Sequence, residues 1–516
     1  MTSNDHDAET TAPHTPAAPS RTPADEARGA AGISLGQASL MVMGGVLALL
    51  ITQFFGKGVS TDAFFTAYGF YVIALTFAQT LRLTVLPRLL SDVTGAQEAR
   101  LLLATATLAA LAAIPMVALA GPIGDLIANG DPSGLAAETL RLLWPALALH
   151  LLAGMLVAML VMRGIYAPIG VAFAITSLIT IAAFVLLEPE LDLRAVAVGL
   201  ALSAVFLASA LMTHLWRAGW RPAFRQQLVP RQIVRDCGDL FVASSSFLML
   251  NLGYLICLAV ANRASAGTAT TYAYAFFGAA FLVASTAVPS AMVRAPRLLD
   301  AGGNRGVTVA DVLVDYRVAL VLLAPAIGLV ALVGAPLIDL ITGSFFGADD
   351  STDFVTVLVC LTPWVLAATV GVMLILESLN RGRGNALAAI AVGQAVVLLI
   401  LAKLGDEIAG IAGIAIAQST AMFLATAAQI RLAMRADAGR LLRTLGTETL
   451  RSAALVLVSF GPGWLAISAL DDSLAVELPI AAAGLAIFAI GASRVYPAEW
   501  KLLVGVLPFT SRHATT

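Results

Sequence analysis

The sequence predicts an all-α polytopic membrane protein of about 14 transmembrane helices, and three observations support this. Of the 516 residues, 59% are hydrophobic and only 12% are charged, which is too little charge for a soluble protein of this length. Apolar runs of about 20 residues recur from residue 33 onward, and each can cross a hydrocarbon core of about 30 Å as a helix. Abundant Ala, Leu and Gly without sustained alternation argue against a membrane β-barrel.

The chain divides into two six-helix lobes followed by an extra pair of helices. Residues 1–32, rich in Pro, Ala, Thr and Ser, are predicted to be a disordered cytoplasmic tail. The first lobe covers 33–216, a basic cytoplasmic linker 217–237, and the second lobe 238–431. A basic cytoplasmic loop (432–449), the extra pair (450–495) and a cytoplasmic tail (496–516) complete the chain. The predicted spans are 33–55, 62–86, 100–121, 139–162, 166–187, 195–216, 238–262, 270–294, 317–341, 354–378, 384–404, 408–431, 450–470 and 476–494.

The distribution of Lys and Arg predicts the topology. With fourteen spans, all but five of the 30 Lys and Arg residues fall on the side of the termini; the exceptions are Lys57, Arg141, Arg194, Arg263 and Lys403. Cytoplasmic loops carry the excess of positive charge in membrane proteins. We therefore expect a multi-pass protein of the bacterial cytoplasmic membrane with both termini in the cytoplasm.

A weak internal repeat relates the two lobes. Pro-Arg-Leu-Leu occurs at 87–90 and again at 296–299, and Ala204-Val-Phe-Leu-Ala-Ser-Ala resembles Ala421-Met-Phe-Leu-Ala-Thr-Ala. The offsets of about 209 to 220 residues span an even number of helices, so both copies keep the same orientation. This predicts a pseudo-two-fold axis along the membrane normal, as in two-lobed transporters. The last two helices have no counterpart in the repeat.

The motif content indicates a transporter rather than an enzyme. The sequence has no Walker A pattern, no HExxH motif, no nucleophile elbow and no Cys/His cluster. The three cysteines lack paired or metal-binding spacing and are interpreted as small apolar residues. We expect no catalytic residue, metal site or cofactor, and no nucleic-acid partner.

Charged residues in predicted spans are the main candidates for substrate binding or gating, because each is unfavourable in lipid without a cavity or partner. Asp62 at the outer mouth of helix 2 is either a helix cap or a functional acid. Arg82, near the inner end of that helix, either reaches the interface or contacts an anionic substrate. His150 is either a proton relay or a satisfied interior group. Arg263, at a helix end, is a further candidate cation.

Uncharged polar and aromatic residues form a second group of candidates. Gln79, Asn251 and Tyr254 either line a central cavity or bond between helices. Aromatic residues cluster at equivalent positions of the two repeats, as an interface belt or as paired gate walls; they include Tyr68, Tyr71 and Tyr274. The sequence alone does not decide between these readings.

The segment Phe54 to Tyr68 closely resembles the first extracellular turn and second helix of the lipid II flippase (mouse virulence factor) family. The resemblance is carried by Gly-x-Gly-x-x-Thr-Asp-Ala-Phe-Phe, residues 56–65. That family belongs to the multidrug/oligosaccharidyl-lipid/polysaccharide exporter superfamily. The resemblance implies an alternating-access flippase for a polyprenyl-linked cell-envelope glycan precursor, lipid II-like or another lipid-linked oligosaccharide. It also implies coupling to an ion gradient or the membrane potential, and a groove for the lipid tail on the extra helices.

The chain departs from the family where the substrate diphosphate is expected. Family members carry arginines in helix 1, in helix 2 and near the start of helix 8, whereas helix 1, the middle of helix 2 (70–77) and the start of helix 8 (272–276) contain none here. Two alternatives therefore stay open. One is a cation-coupled small-molecule or multidrug exporter, and the other is a non-transporting membrane scaffold that partners envelope-synthesis enzymes. In either case membrane lipids surround the protein.

Overall fold

In a computed structural model, every regular secondary-structure element of the described residues is a helix. The structure describes residues 39, 44–72, 95–127, 134–221, 229–283, 307–342, 348–468 and 474–506. The helices of the first half are α1 (Gly44–Phe55), α2 (59–72), α3 (Gly95–Ala118), α4 (Ala120–Ile127), α5 (Leu135–Met162), α6 (Ala167–Leu191) and α7 (Arg194–Arg217). Those of the second half are α8 (Pro230–Ala261), α9 (Thr268–Val283), α10 (Val309–Thr342), α11 (Ala348–Cys360), α12 (Thr362–Asn380) and α13 (Gly384–Met434). A 3₁₀ turn (Arg435–Asp437) then leads to α14 (Ala438–Ile467), α15 (Leu474–Val495) and α16 (Pro497–Val506).

Eight helical segments of the described chain are long and apolar enough to cross a membrane. One of them, Gly384–Ile467, runs for 84 residues, which would extend for about 126 Å as a single helix. It is broken at Ala409 and Gly410, where Gly410 has φ of 55°, and again at the 3₁₀ turn after α13. These breaks divide it into three shorter segments. The all-helical fold is confirmed, whereas the count of fourteen spans stays a prediction.

The repeat predicted from the sequence is visible where α2 meets α9. Positions 209 residues apart face each other: the rings of Phe65 and Tyr274 lie 4.9 Å apart, and those of Tyr68 and Phe277 lie 5.8 Å apart. Equivalent positions meet in this way only close to a two-fold axis. The pseudo-two-fold axis therefore passes between α2 and α9.

Several helix boundaries differ from the predicted spans. The predicted third span is divided by a turn at Leu119, because Pro122 has no N–H to continue the hydrogen bonds of α3. Helix α8 begins at Pro230, inside the predicted linker, since proline is well suited to the first helical turn. The segments predicted as a loop over 432–449 and as a tail over 496–516 contain the start of α14 and the whole of α16.

One aromatic side chain is central to the docking of the C-terminal helices on α10, beside the polar contacts of Tyr316 with Thr449 and of Arg317 with Glu448. Phe460 of α14 is 4% exposed and lies between Gly328 of α10 and Gly484 of α15. A Cβ atom at Gly328 or Gly484 would lie 2.4 Å or 2.8 Å from the Phe460 ring. Glycine at both positions is therefore needed for this packing, which ties the extra helices to the second lobe.

Candidate functional site at the lobe interface

Asp62 of the first lobe binds the N-terminal turn of a helix in the second lobe. Its carboxylate accepts hydrogen bonds from Gly267 N (2.7 Å), Thr270 N (2.8 Å) and Thr270 Oγ1 (2.6 Å). The first N–H groups of a helix lack partners within the helix, and an anion is stabilised there. Asp62 is 3% exposed. We call this arrangement the Asp62 contact: a carboxylate on α2 caps α9 across the lobe interface.

The local sequence explains why Asp62 is free to reach across. Thr61, its neighbour, serves the turn that starts α2: Thr61 Oγ1 accepts from Gly58 N (2.8 Å) and donates to Gly58 O (2.9 Å). Gly267 has φ of 86°, a conformation that glycine adopts without strain. A Cβ atom on Gly267 would also lie 2.9 Å from Lys57 Cε. The glycine is thus required both for backbone conformation and for space.

A second ionic contact joins the lobes beside Asp62. Lys57 Nζ lies 2.5 Å from Asp350 Oδ1 at the start of α11, and the two side chains are 15% and 31% exposed. Partly exposed ion pairs of this kind are screened by salt and contribute about 1 kcal/mol or less. The Lys57–Asp350 pair therefore adds to the Asp62 contact but is the weaker of the two.

Beneath these polar contacts, aromatic side chains close the interface between α2 and α9. Besides the facing pairs of the repeat, Tyr274 Oη accepts a hydrogen bond from Thr52 Oγ1 (2.8 Å) and donates to Ala48 O (3.1 Å) of α1. Tyr254 of α8 stacks on Phe276 at 4.4 Å and is fully buried. The described part of the interface is thus aromatic and tightly packed.

His150 contacts the same aromatic run from within the first lobe. Tyr71 Oη lies 3.3 Å from His150 Nδ1, and the ring nitrogen is also 3.0 Å from Ala146 O. The Tyr71 ring lies 5.7 Å from that of Tyr68, which in turn contacts α9. A continuous row of aromatic rings therefore connects a buried histidine to the lobe interface.

The lobes also touch at the opposite end of the molecule. Arg100 of α3 bonds Asp236 at the start of α8 (Nε to Oδ2, 2.6 Å) and Gln232 (3.2 Å). On the first lobe, Arg163 binds Glu98 of the same α3 end at 2.7 Å. In this conformation the start of α8 is held to the first lobe by Arg100, at the end of the molecule opposite to the Asp62 contact.

The other predicted site residues have varied positions. Arg263 is exposed in the turn between α8 and α9 and lies outside the packed interface. Asn251 lies in α8. Gln79 and Arg82 fall outside the described residues, so their roles stay predictions. No group of three or more His, Cys, Asp and Glu suited to a metal lies in the described chain.

Sequence reasoning missed the partners of Asp62. Gly267 and Thr270 appear in the second repeat, but nothing in their local pattern indicates that they receive an acid from 205 residues earlier. The repeat itself carried the signal, because residues 61 and 270 are equivalent at an offset of 209. Equivalent segments of a two-fold repeat are expected to meet at the axis. Lys57 and Asp350, placed in separate outer loops, carried no such signal.

The family model described as lipid II flippase MurJ matches residues 51–479. Comparison with curated protein sequences gives no significant match. A structure of lipid II flippase MurJ in an inward closed conformation is similar at a TM-score of 0.70 and 14% identity, covering 90% of this chain and 98% of that one.

Two further structures share the fold at low identity. A MATE transporter of Vibrio cholerae, VcmN, has a TM-score of 0.61 and 14% identity, covering 80% of this chain and 96% of that one. A transporter of the MOP superfamily from Pyrococcus furiosus, described as having a binding pocket of reverse polarity, has a TM-score of 0.58 and 14% identity, with 81% and 96% covered.

Proposed function

The chain belongs to the lipid II flippase MurJ family, and from that premise we propose that it moves a polyprenyl-linked cell-envelope glycan precursor across the membrane by alternating access. The observation that carries the proposal for this chain is the Asp62 contact, in which the residue shared with the family motif joins the two lobes. The protein is a transporter and not an enzyme, with its substrate in the lipid phase.

In this conformation the Asp62 contact keeps the outer end of the lobe interface closed, so it acts as the outer gate. For the outer end to open, α2 must separate from the N-terminus of α9, which breaks all three hydrogen bonds to Asp62. Hydrogen bonds to a charged group contribute roughly 1.5–3 kcal/mol each. The bonds of Tyr274 to α1 and the aromatic pairs across the axis must break as well. Substrate favours this change only to the extent that it binds the open state more tightly than the closed state.

The headgroup of such a substrate needs cations. A buried diphosphate without a positive partner is strongly unfavourable, and arginine is the side chain best suited to bind it. Within the described part of the interface, helices α1, α2 and α9 contain no arginine. The sequence candidates for this cation are Arg82 and Arg294, which lie outside the described residues, and their role in headgroup binding stays a prediction.

The membrane potential is sufficient to drive net movement of an anionic headgroup in one direction across the membrane. Moving one elementary charge through 100 mV corresponds to roughly 2.3 kcal/mol. With both termini in the cytoplasm, an interior-negative potential favours outward movement of a diphosphate. An ion gradient is the alternative energy source for transport. Transport measured under an imposed membrane potential, with and without a sodium or proton gradient, distinguishes the two sources.

The proposal is tested by depletion in the native bacterium. Depleted cells are expected to accumulate a polyprenyl-linked glycan intermediate in the inner leaflet, with a matching loss from the outer leaflet. The wild-type chain restores the distribution, and a chain with Asp62→Asn restores it poorly. Normal outer-leaflet levels after depletion would contradict the proposal. A phenotype that survives both Asp62→Asn and Arg82→Ala would favour a scaffold that partners envelope-synthesis enzymes.

A second candidate is a cation-coupled exporter of small lipophilic compounds. It is favoured by one observation: the described lobe interface is aromatic and uncharged around Phe65, Tyr68, Tyr274 and Phe277. Aromatic walls suit flat lipophilic cations. Efflux of a lipophilic dye that responds to an imposed ion gradient, with no effect on lipid-linked glycans, would establish this candidate in place of the first.

A further inference from the structure

The connection between α13 and α14 is a short, strongly basic elbow. We define the basic elbow as residues 431–443, with the exposed arginines Arg431, Arg435, Arg440 and Arg443. Its centre is a single 3₁₀ turn, in which Arg435 adopts φ of 46°. One exposed acid, Asp437, lies among the four arginines. The elbow therefore carries a net positive charge at the junction of two helix ends.

The four elbow arginines are exposed to a ligand, although Arg443 Nε also donates a hydrogen bond to Gly439 O (3.3 Å) within its own helix. The neighbouring Arg381 and Arg383 are engaged: they donate to the carbonyl oxygens of Ala433 and Leu432 at the end of α13, and Arg381 also pairs with Glu377. The nearest buried acid on α14, Glu448, pairs with arginines outside the elbow. Across the residues that the structure describes, no carboxylate pairs with the elbow arginines.

The length of α14 places its first turns beyond the hydrocarbon core. The helix has 30 residues, which corresponds to about 45 Å, against about 30 Å for the core. Residues seven apart lie on nearly the same line of a helix. Along one such line Leu450, Leu457 and Trp464 are 72%, 69% and 60% exposed, as expected for a face in contact with lipid. Arg443 continues this line, about 10 Å before Leu450.

At its C-terminal end, helix α13 shows the same arrangement of a lipid-facing apolar stripe that leads to an exposed arginine. Phe423 and Leu424 are 59% and 53% exposed, so this face of α13 also meets lipid. Arg431 lies seven residues after Leu424 and is exposed on the same line. Two lipid-facing stripes thus lead from apolar side chains into the basic elbow, one on each helix. A ligand that fits both features is amphipathic, with acyl chains on the stripes and an anion at the arginines.

We propose that the basic elbow binds the phosphate-bearing headgroup of an anionic phospholipid in the adjacent leaflet, which is the cytoplasmic one on the predicted topology. Arginines beside the membrane surface attract anionic lipids, and their planar guanidinium groups suit phosphate oxygens. The lipid spans the ends of α13 and α14. It thereby connects the second lobe to the C-terminal helices. This site is separate from the lobe interface and does not depend on the transported substrate.

The test is native mass spectrometry of the full chain in detergent, titrated with phosphatidylglycerol or phosphatidylcholine of matched acyl chains. The wild type is expected to retain phosphatidylglycerol in preference to phosphatidylcholine. The double variant Arg440→Gln/Arg443→Gln is expected to lose this preference by about 25-fold, since each of the two arginines near the surface accounts for roughly a fivefold effect. A matched control, Arg231→Gln/Arg235→Gln, removes two exposed arginines from the start of α8 and is expected to change the preference by less than about twofold.

Three results would overturn the proposal. One is the absence of any phosphatidylglycerol preference in the wild type, and another is an equal loss in the control, which would mean general charge attraction. The third is displacement of bound phosphatidylglycerol by inorganic phosphate, which would mean a site for free anions. To separate charge from folding, Arg440→Lys/Arg443→Lys is expected to keep the preference within about threefold. If it loses the preference together with its thermal unfolding midpoint, folding and not lipid binding explains the effect.

Discussion

Replacing Asp62 with asparagine is expected to open the lobe interface at the outer end. The carboxylate accepts three hydrogen bonds from Gly267 and Thr270. An asparagine keeps one oxygen, and its NH₂ group must face either an N–H or a hydroxyl that was bound before. At least one donor is left unsatisfied and the remaining bonds lose their charge assistance. Together these changes amount to about 3 kcal/mol, or about a 100-fold shift toward the open state.

Distances from pulsed electron–electron double resonance measure this shift of the population toward the open state directly. Spin labels are placed at Val59 and Ser265, which are exposed on α2 and in the turn before α9, in a chain whose three cysteines are replaced by alanine. The parent chain is expected to give mainly one short distance, and Asp62→Asn to add a longer distance as a major population. Asp125→Asn, which neutralises an exposed acid on α4, is the matched control and is expected to leave the distances unchanged. A distance distribution in Asp62→Asn equal to that of the parent would refute the assigned role of the Asp62 contact.

Three further predictions follow from packing and charge. Lys57→Asp is expected to destabilise the closed interface by about 1 kcal/mol, and Asp350→Lys in the same chain to restore it in the distance measurement; no rescue would mean that the pair in the structure is not formed in the membrane. Gly69→Leu is expected to separate α2 from α8, because even a Cβ there would lie 2.9 Å from a leucine side chain; an unchanged thermal unfolding midpoint would contradict this packing. Phe460→Ala is expected to lower stability by about 3 kcal/mol through the cavity it leaves, whereas Leu457→Ala at a site 69% exposed serves as the control with little effect; equal losses would argue against docking through Phe460.

The helical architecture was predictable because lipid imposes it. A span needs a long apolar run and internally satisfied backbone groups, and both are visible in the sequence. The family resemblance based on residues 54–68 is confirmed by the match over residues 51–479. Boundaries outside the apolar runs were less predictable. The start of α8 and of α14 lies in basic segments, where helix formation depends on packing against neighbours and not on hydropathy.

The site could be predicted only in part, for a physical reason. Asp62 was identified as an acid at a helix mouth, but a cap for its own helix and a cap for another helix give the same local pattern. The choice depends on how the lobes dock, which brings Gly267 next to Asp62. The same holds for His150, whose contact with Tyr71 depends on the packing of α2 against α5. Only the repeat offset, which pairs Tyr68 with Phe277, could have indicated the interface in advance.

Flipping in proteoliposomes tests the central claim most directly. The purified chain is reconstituted with a fluorescent polyprenyl-diphosphate saccharide, and a membrane-impermeant quencher reports which leaflet holds the label. The wild-type chain is expected to make nearly all of the label accessible. An imposed membrane potential is expected to change the rate of flipping, and Asp62→Asn is expected to alter that rate. Accessibility equal to that of protein-free vesicles, about half of the label, would contradict the assignment of this chain as an alternating-access flippase.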